Sequence, residues 1–188
     1  MREQRTKDFK LGQLHGKLSP QKTESEAAIQ RAVYLRSVIK IVRSRDEGKN
    51  TEIRLIAYEM PLGERRDCCV DIVGYDKDKN LWIVELKDSG NPEKLGDIIK
   101  QVDDYKNNIL VIKKDLEDDF EKTFYFKIEF KNVKKLILAP KKFYDNKKRD
   151  EFNDKTVEYA YFKDRNITKT KKLCNIVDVR IEEKSKWN

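Results

Sequence analysis

The sequence predicts an α/β domain with a mixed sheet, on three observations. Two stretches carry apolar residues at helical spacing, and three runs with strand character lie between them. A further β-branched run follows the second helix. The order helix, three strands, helix, strand is that of sheet and helix layers packed on one core.

Residues 1–20 are polar and basic and are broken by Gly12, Gly16 and Pro20, which predicts a loosely held leader. The remainder, 21–188, reads as one domain, since 188 residues suffice for a single core and no linker interrupts them. From about Ser25 to Val42, Ile29, Ala32, Val33, Leu35, Val38, Ile39 and Val42 recur with helical spacing. Thr23 or Ser25 is placed to cap that helix, and Glu24 and Glu26 fall near its positive end. "TEIRLIAYEM" alternates as a strand and stops before Pro61 and Gly63. "CCVDIVGYDKDKNLWIVELK", residues 68–87, reads as two strands around a polar loop. "DSGNPEK" is a turn, and Leu95, Ile98, Ile99, Val102 and Ile109 predict a helix over about 94–109, with 112–124 as its continuation. "FYFKIEF", "VKKLILAP", "TVEYAYF" and "NIVDVRI" are then expected as strands.

The hairpin raises a chemical question, because it carries Asp71, Glu85 and Lys87 inside apolar runs. If Tyr75 pairs with Leu81, facing positions sum to 156, so Asp71 meets Glu85 and Cys69 meets Lys87. Asp71, Glu85 and Lys87 would then share a wet, charged face, while Cys68, Val70, Ile72, Trp82, Val84 and Leu86 form a core face. Two facing carboxylates repel. A divalent cation between them turns that repulsion into binding, and a small set of oxygen ligands suits Mg²⁺ or Mn²⁺. Lys87 would orient a water or stabilise charge on an attacked phosphate. Spacing alone fits equally a half-exposed hairpin with a solvated polar face, and a one-residue slip in register would separate the carboxylates.

Asp71, thirteen intervening residues and then Glu85-Leu86-Lys87 resemble the signature of the PD-(D/E)XK nuclease superfamily, with its restriction-endonuclease-like fold. The likeness extends to an acidic residue on the preceding helix, Glu26 or else Glu24, and to Gln101 and Tyr105 on the following one. The spacing of Gln101 and Tyr105 is similar to the Gln-x-x-x-Tyr pattern of exonuclease-type and archaeal-type members. "LILAP" falls where their fourth core strand falls, so the likeness covers about 24–140 and leaves 141–188 as an extension. Val70 stands where many members have proline. The resemblance implies an α-β-β-β-α-β core with a central mixed sheet flanked by helices. It implies Asp71, Glu85 and the Leu86 backbone carbonyl as metal ligands, with Glu26 completing or supporting the site. Lys87 would activate the attacking water, and Gln101 and Tyr105 would orient Lys87 or touch the DNA backbone. The implied reaction is phosphodiester hydrolysis leaving a 5′-phosphate and a 3′-hydroxyl. A homodimer cutting both strands is compatible with it, though no interface stripe is readable.

Charge points the same way. Lys and Arg number 42 against 34 Asp and Glu, a net charge of +8, and part of the excess clusters at Lys141, Lys142, Lys147, Lys148 and Arg149. Such a patch suits a nucleic-acid backbone, whose counterions it displaces. DNA is the expected partner; RNA, or binding without cleavage, remains open at this point. No apolar run long enough to cross a membrane is present, and three cysteines, two of them adjacent, suggest a reducing cytoplasm over a disulfide framework. "DKDKN" opens like a calcium loop, but Leu81 and Lys87 stand where such a loop needs Gly and Glu, so a hairpin turn is expected. His15 has no partner pattern for a general base.

Overall fold

A computed structural model describes residues 11, 25–43, 50–62, 69–152, 154–162 and 174–178, with backbone alone for 149, 150 and 174–178. Among the described residues the chain is a mixed α/β structure in which seven strands follow one another around a sheet that closes on itself. The strands are β1 (Val38–Val42), β2 (Thr51–Pro61), β3 (Cys69–Tyr75), β4 (Leu81–Leu86), β5 (Val133–Ala139), β6 (Val157–Phe162) and β7 (Cys174–Asp178). Helix α1 (Glu26–Tyr34) precedes β1, α2 (Leu95–Phe124) joins β4 to β5, and α3 (Lys141–Asp145) follows β5. Strands β1 to β4 form an antiparallel meander, β4 to β6 are parallel, and β7 closes the ring by pairing antiparallel with β6 and parallel with β1. Parallel β4 and β5 need a crossover connection, and the 30-residue α2 supplies it.

Two apolar clusters cover the two faces of this sheet. The inner one joins Ile29 and Val33 of α1 to Ile39, Ile53, Ile72, Trp82, Leu136 and Phe162 from six strands. The outer one packs Ile98, Val102, Ile109, Leu116 and Phe120 of α2 onto Val73, Ile83, Ile137 and Tyr159. Strand β4 is therefore buried along its whole length, as a parallel strand covered on both sides must be. This corrects the expected wet face. Glu85 and Lys87 are 2% and 5% exposed, and Val73, Leu81 and Ile83 pack in the outer cluster.

The expected helix over 25–42 is also corrected, because its second half is β1. Helix α1 starts as expected, with the Ser25 hydroxyl accepting the Ala28 N–H at 3.3 Å. The chain then turns at Ser37, whose φ is 62°, and Val38–Val42 alternate between half-buried and buried. Four β-branched residues in five favour the strand, and Ile39 and Ile41 find partners on β2 that local spacing does not reveal. Among the described residues four strands, not three, thus precede α2. "FYFKIEF" is corrected too. Tyr125 ends α2 in the left-handed conformation and the chain to Asn132 forms no strand, although Ile128 and Phe130 are buried. The Phe130 N–H goes instead to the Glu117 carboxylate at 2.8 Å. Within the segment read as a leader, Leu11 is described and is buried in the outer cluster. The other leader residues, Glu24, Cys68 and the basic run at 169–172 lie outside the described residues.

Candidate active site

The β3–β4 ladder runs Ile72–Val84, Val73–Ile83, Gly74–Trp82 and Tyr75–Leu81, the register in which facing positions sum to 156. Gly74 is required here, since a Cβ would sit 2.7 Å from the Arg54 carbonyl oxygen beside the irregularity in β2. Carried one step further, the register sets Asp71 opposite Glu85. There the ladder gives way to a side chain, and Asp71 Oδ2 accepts the Leu86 backbone N–H at 2.7 Å. Cys69 pairs across β2 to Pro61, and β4 ends at Leu86, so the expected Cys69–Lys87 pair is not part of the ladder.

A change of faces happens at the same place. Tyr58 and Ile72 pack in the inner cluster, whereas Met60 and Val70, two residues away on each strand, pack in the outer one. Residues two apart on a regular strand share a face. Glu59, between Tyr58 and Met60, has φ 47°, a conformation that side chains other than glycine adopt at a cost and that clusters at functional sites. Glu59 lies across the β2–β3 ladder from Asp71, since Tyr58 pairs with Ile72 and Met60 with Val70.

Electrostatics mark the site. Burial, and then the charge of Glu85, push the Asp71 carboxyl well above the usual carboxylate range, against the pull of the Leu86 N–H and Lys87. Burial also raises Glu85, with Lys87 opposing and Glu26 and Glu93 adding to the rise. Glu85 Oε1 lies 2.8 Å from Lys87 Nζ, while its Oε2 is buried without a hydrogen-bond partner among the described residues. Burial would lower the Lys87 amine, but Glu85 and Glu93 outweigh it and hold the amine above its ordinary value, so Lys87 is a cation at neutral pH. Burial raises the Tyr58 phenol, helped by Glu59, to which it hydrogen-bonds, and by Asp71.

The structure thus brings together Asp71, Glu85 and Lys87, with Glu26 near enough to act on all three. Glu26 lies in the first turn of α1 and accepts Asn91 Nδ2 at 3.3 Å. Gln101 and Tyr105 pair with each other, Nε2 to hydroxyl at 2.5 Å, and Tyr105 packs into the outer cluster beneath α2. Sequence reasoning missed Tyr58, Glu59, Asn91 and Glu93. The last two sit in "DSGNPEK", where polar residues flanking Lys87 read only as turn formers.

Among the described residues no group of three or more His, Cys, Asp and Glu side chains is gathered closely enough to hold a metal ion. The pair Asp71 and Glu85 nevertheless suits a hard divalent cation. Both are oxygen donors whose carboxyls are raised by desolvation, and the orphaned Glu85 Oε2 is an acceptor with nothing among the described residues to accept from.

The basic cluster lies at the same end of the sheet. Leu138 pairs with Leu86 in the parallel β4–β5 ladder, and α3 begins directly after β5. Lys141, Lys142 and Lys148 are exposed, while Lys147 lies over the Phe143 ring and donates to the Glu93 carbonyl oxygen at 2.5 Å. The Arg149 side chain lies outside the described residues. No helix among the described residues is long and apolar enough to cross a membrane. No protein-family model matches the chain, and no match was found among curated proteins or solved structures.

Proposed function

We propose that the protein is a metal-dependent nuclease of restriction-endonuclease-like fold that hydrolyses phosphodiester bonds in DNA. One observation carries the reading. Half-buried Asp71 and buried Glu85 meet at a sheet end, with one Glu85 oxygen left unpartnered among the described residues, beside the buried cation Lys87. Two neighbouring carboxylates that share a single lysine, Lys87, are costly as structure and useful as a cation site. The run of α1, the β2–β3–β4 meander, α2 and β5 parallel to β4 supports the α-β-β-β-α-β core, with β1, β6 and β7 as additions that close the sheet.

In this reading Asp71, Glu85 and the Leu86 carbonyl hold Mg²⁺ or Mn²⁺, with Glu26 supporting from α1. The ion, when bound, supplies Lewis-acid polarisation of the phosphate and a more acidic water. Lys87 serves as a charged donor rather than a base, because Glu85 and Glu93 keep its amine protonated. It stabilises charge on the attacked phosphate as water adds to phosphorus and the bond to the 3′ oxygen breaks, leaving a 5′-phosphate. Lys141, Lys142 and Lys148 bind flanking phosphates with little regard to sequence.

A second reading has an observation of its own. Lys87 already has two carboxylate partners, so much of the charge is satisfied without any ligand, as a non-cleaving binding module of the same fold would require. Incubating the protein with Mn²⁺ and linear, circular and single-stranded DNA separates the two. Cleavage by wild type but not by Asp71→Asn supports the nuclease. Normal DNA binding with no cleavage of any DNA or RNA transfers the case to the binding module.

A further inference from the structure

The second partner of Lys87 belongs to no motif. Lys87 Nζ lies 2.8 Å from Glu85 Oε1 and 2.9 Å from Glu93 Oε2. Glu93 comes from the loop 88–94 between β4 and α2, and that loop is held at several points. The Gly90 N–H donates to Asp88 Oδ1 at 2.7 Å, and the Glu93 N–H donates to Asn91 Oδ1 at 2.9 Å. Asn91 Nδ2 ties the loop to Glu26 of α1, and Lys147 Nζ ties the Glu93 carbonyl to the segment after α3. The Glu93 carboxylate therefore reaches Lys87 from a backbone fixed on both sides.

A lysine amine has three donors on a flexible four-carbon stem. Glu85 alone fixes one donor direction and leaves rotation about it free. A second carboxylate removes that rotation and defines the third direction. We infer that Glu93 is a positioning residue, which fixes the Lys87 amine so that its remaining N–H is presented to a substrate phosphate. This rests on the nuclease reading above. Stability is not chiefly what the contact supplies: the Glu93 side chain is 46% exposed, and buried Lys87 keeps its Glu85 partner when Glu93 is removed. The Glu93→Ala variant should accordingly fold and melt close to wild type.

Two measurements test the inference. In single-turnover cleavage with Mn²⁺, Glu93→Ala should be slowed about 10- to 100-fold, the scale of a misplaced catalytic group. Glu93→Gln, whose amide oxygen still accepts, should recover most of that loss. In a Lys87→Ala background Glu93→Ala should add no further loss, since nothing remains to position. Equal slowing in both backgrounds, or no slowing in either, overturns the inference. The second readout is the side-chain ammonium resonance of Lys87 in nitrogen-15 NMR, identified by its absence in Lys87→Arg. It should be sharp in wild type and Glu93→Gln and lost to exchange in Glu93→Ala; an unchanged signal overturns the inference. If wild type cleaves nothing, the nuclease reading falls, and the ammonium signal still decides whether Glu93 holds the amine.

Discussion

The two ends of the β3–β4 hairpin each hold carboxylates among apolar residues, and they treat them in opposite ways. At the turn, Asp76 is 4% exposed and fully employed. Its Oδ1 accepts the Asp78 and Asn80 backbone N–H groups, each at 2.9 Å, and its Oδ2 accepts Asn80 Nδ2 at 2.8 Å and Trp82 Nε1 at 2.9 Å. Burial pushes Asp76 up, but the hydrogen bonds from Asn80 and Trp82 outweigh it and leave the carboxyl below its ordinary value. At the other end Asp71 receives one backbone N–H, Glu85 keeps an orphaned oxygen, and both are raised. Asp76 is surrounded by donors, as a structural carboxylate is; Asp71 and Glu85 are left wanting them, as the proposed cation site requires.

Four variants break or sharpen that contrast. The largest effect is expected at the satisfied end. Asp76→Ala strands Trp82 Nε1 and the Asn80 donors, and should cost about 3 kcal/mol or more in urea denaturation, with cleavage per folded molecule unchanged. A loss under about 1 kcal/mol would mean that the turn holds itself without its carboxylate.

Next comes Lys87→Ala, which on the proposed reading removes a donor acting mainly on the transition state. Single-turnover cleavage in Mn²⁺ should fall by about 10²-fold or more. DNA affinity in Ca²⁺, which takes larger and looser oxygen sites, should change much less. Undiminished cleavage would place the chemistry on other residues.

Asp71→Asn tests the unsatisfied end without a ligand. With folded-state values raised, Asp71 and Glu85 bind protons more tightly folded than unfolded. Their stabilising contribution is complete below the unfolded range near ~4 and is lost as pH rises through the raised folded values. In EDTA the wild type should therefore lose stability on going from acid to neutral pH. Asp71→Asn should be more stable than wild type at pH 7, by about 1–2 kcal/mol, with a flatter pH profile. Adding Mn²⁺ should raise the melting temperature of wild type and leave that of the variant nearly unmoved. Equal shifts in the two proteins would remove Asp71 from the proposed metal site.

The smallest effect concerns the basic surface beside the site. Neutralising Lys141, Lys142 and Lys148 together should weaken DNA binding irrespective of sequence and flatten its salt dependence by about one unit of slope per lost phosphate contact. An unchanged slope would make α3 a solvated surface only.

The facing of Asp71 and Glu85 was readable beforehand because it is local. The register that sets Asp71 against Glu85 follows from the length of the turn between Tyr75 and Leu81, and a turn of that length leaves few alternatives. The Ser25 cap and the apolar spacing along α2 are likewise properties of neighbouring residues. What lay beyond the sequence depends on distant partners. Val38–Val42 satisfy helical spacing and strand alternation alike, and pairing with β2 and β7 selects the strand. Burial of the charged face follows from α2 covering β4, which no hairpin pattern encodes. Glu93 reaches Lys87 only because α1 and the segment after α3 fix its loop. By itself the sequence determined which side chains face one another across the hairpin, since neighbours along the chain set turn length and period. Tertiary structure alone decided which of those charges are buried and which are left unsatisfied, because desolvation depends on what packs on top.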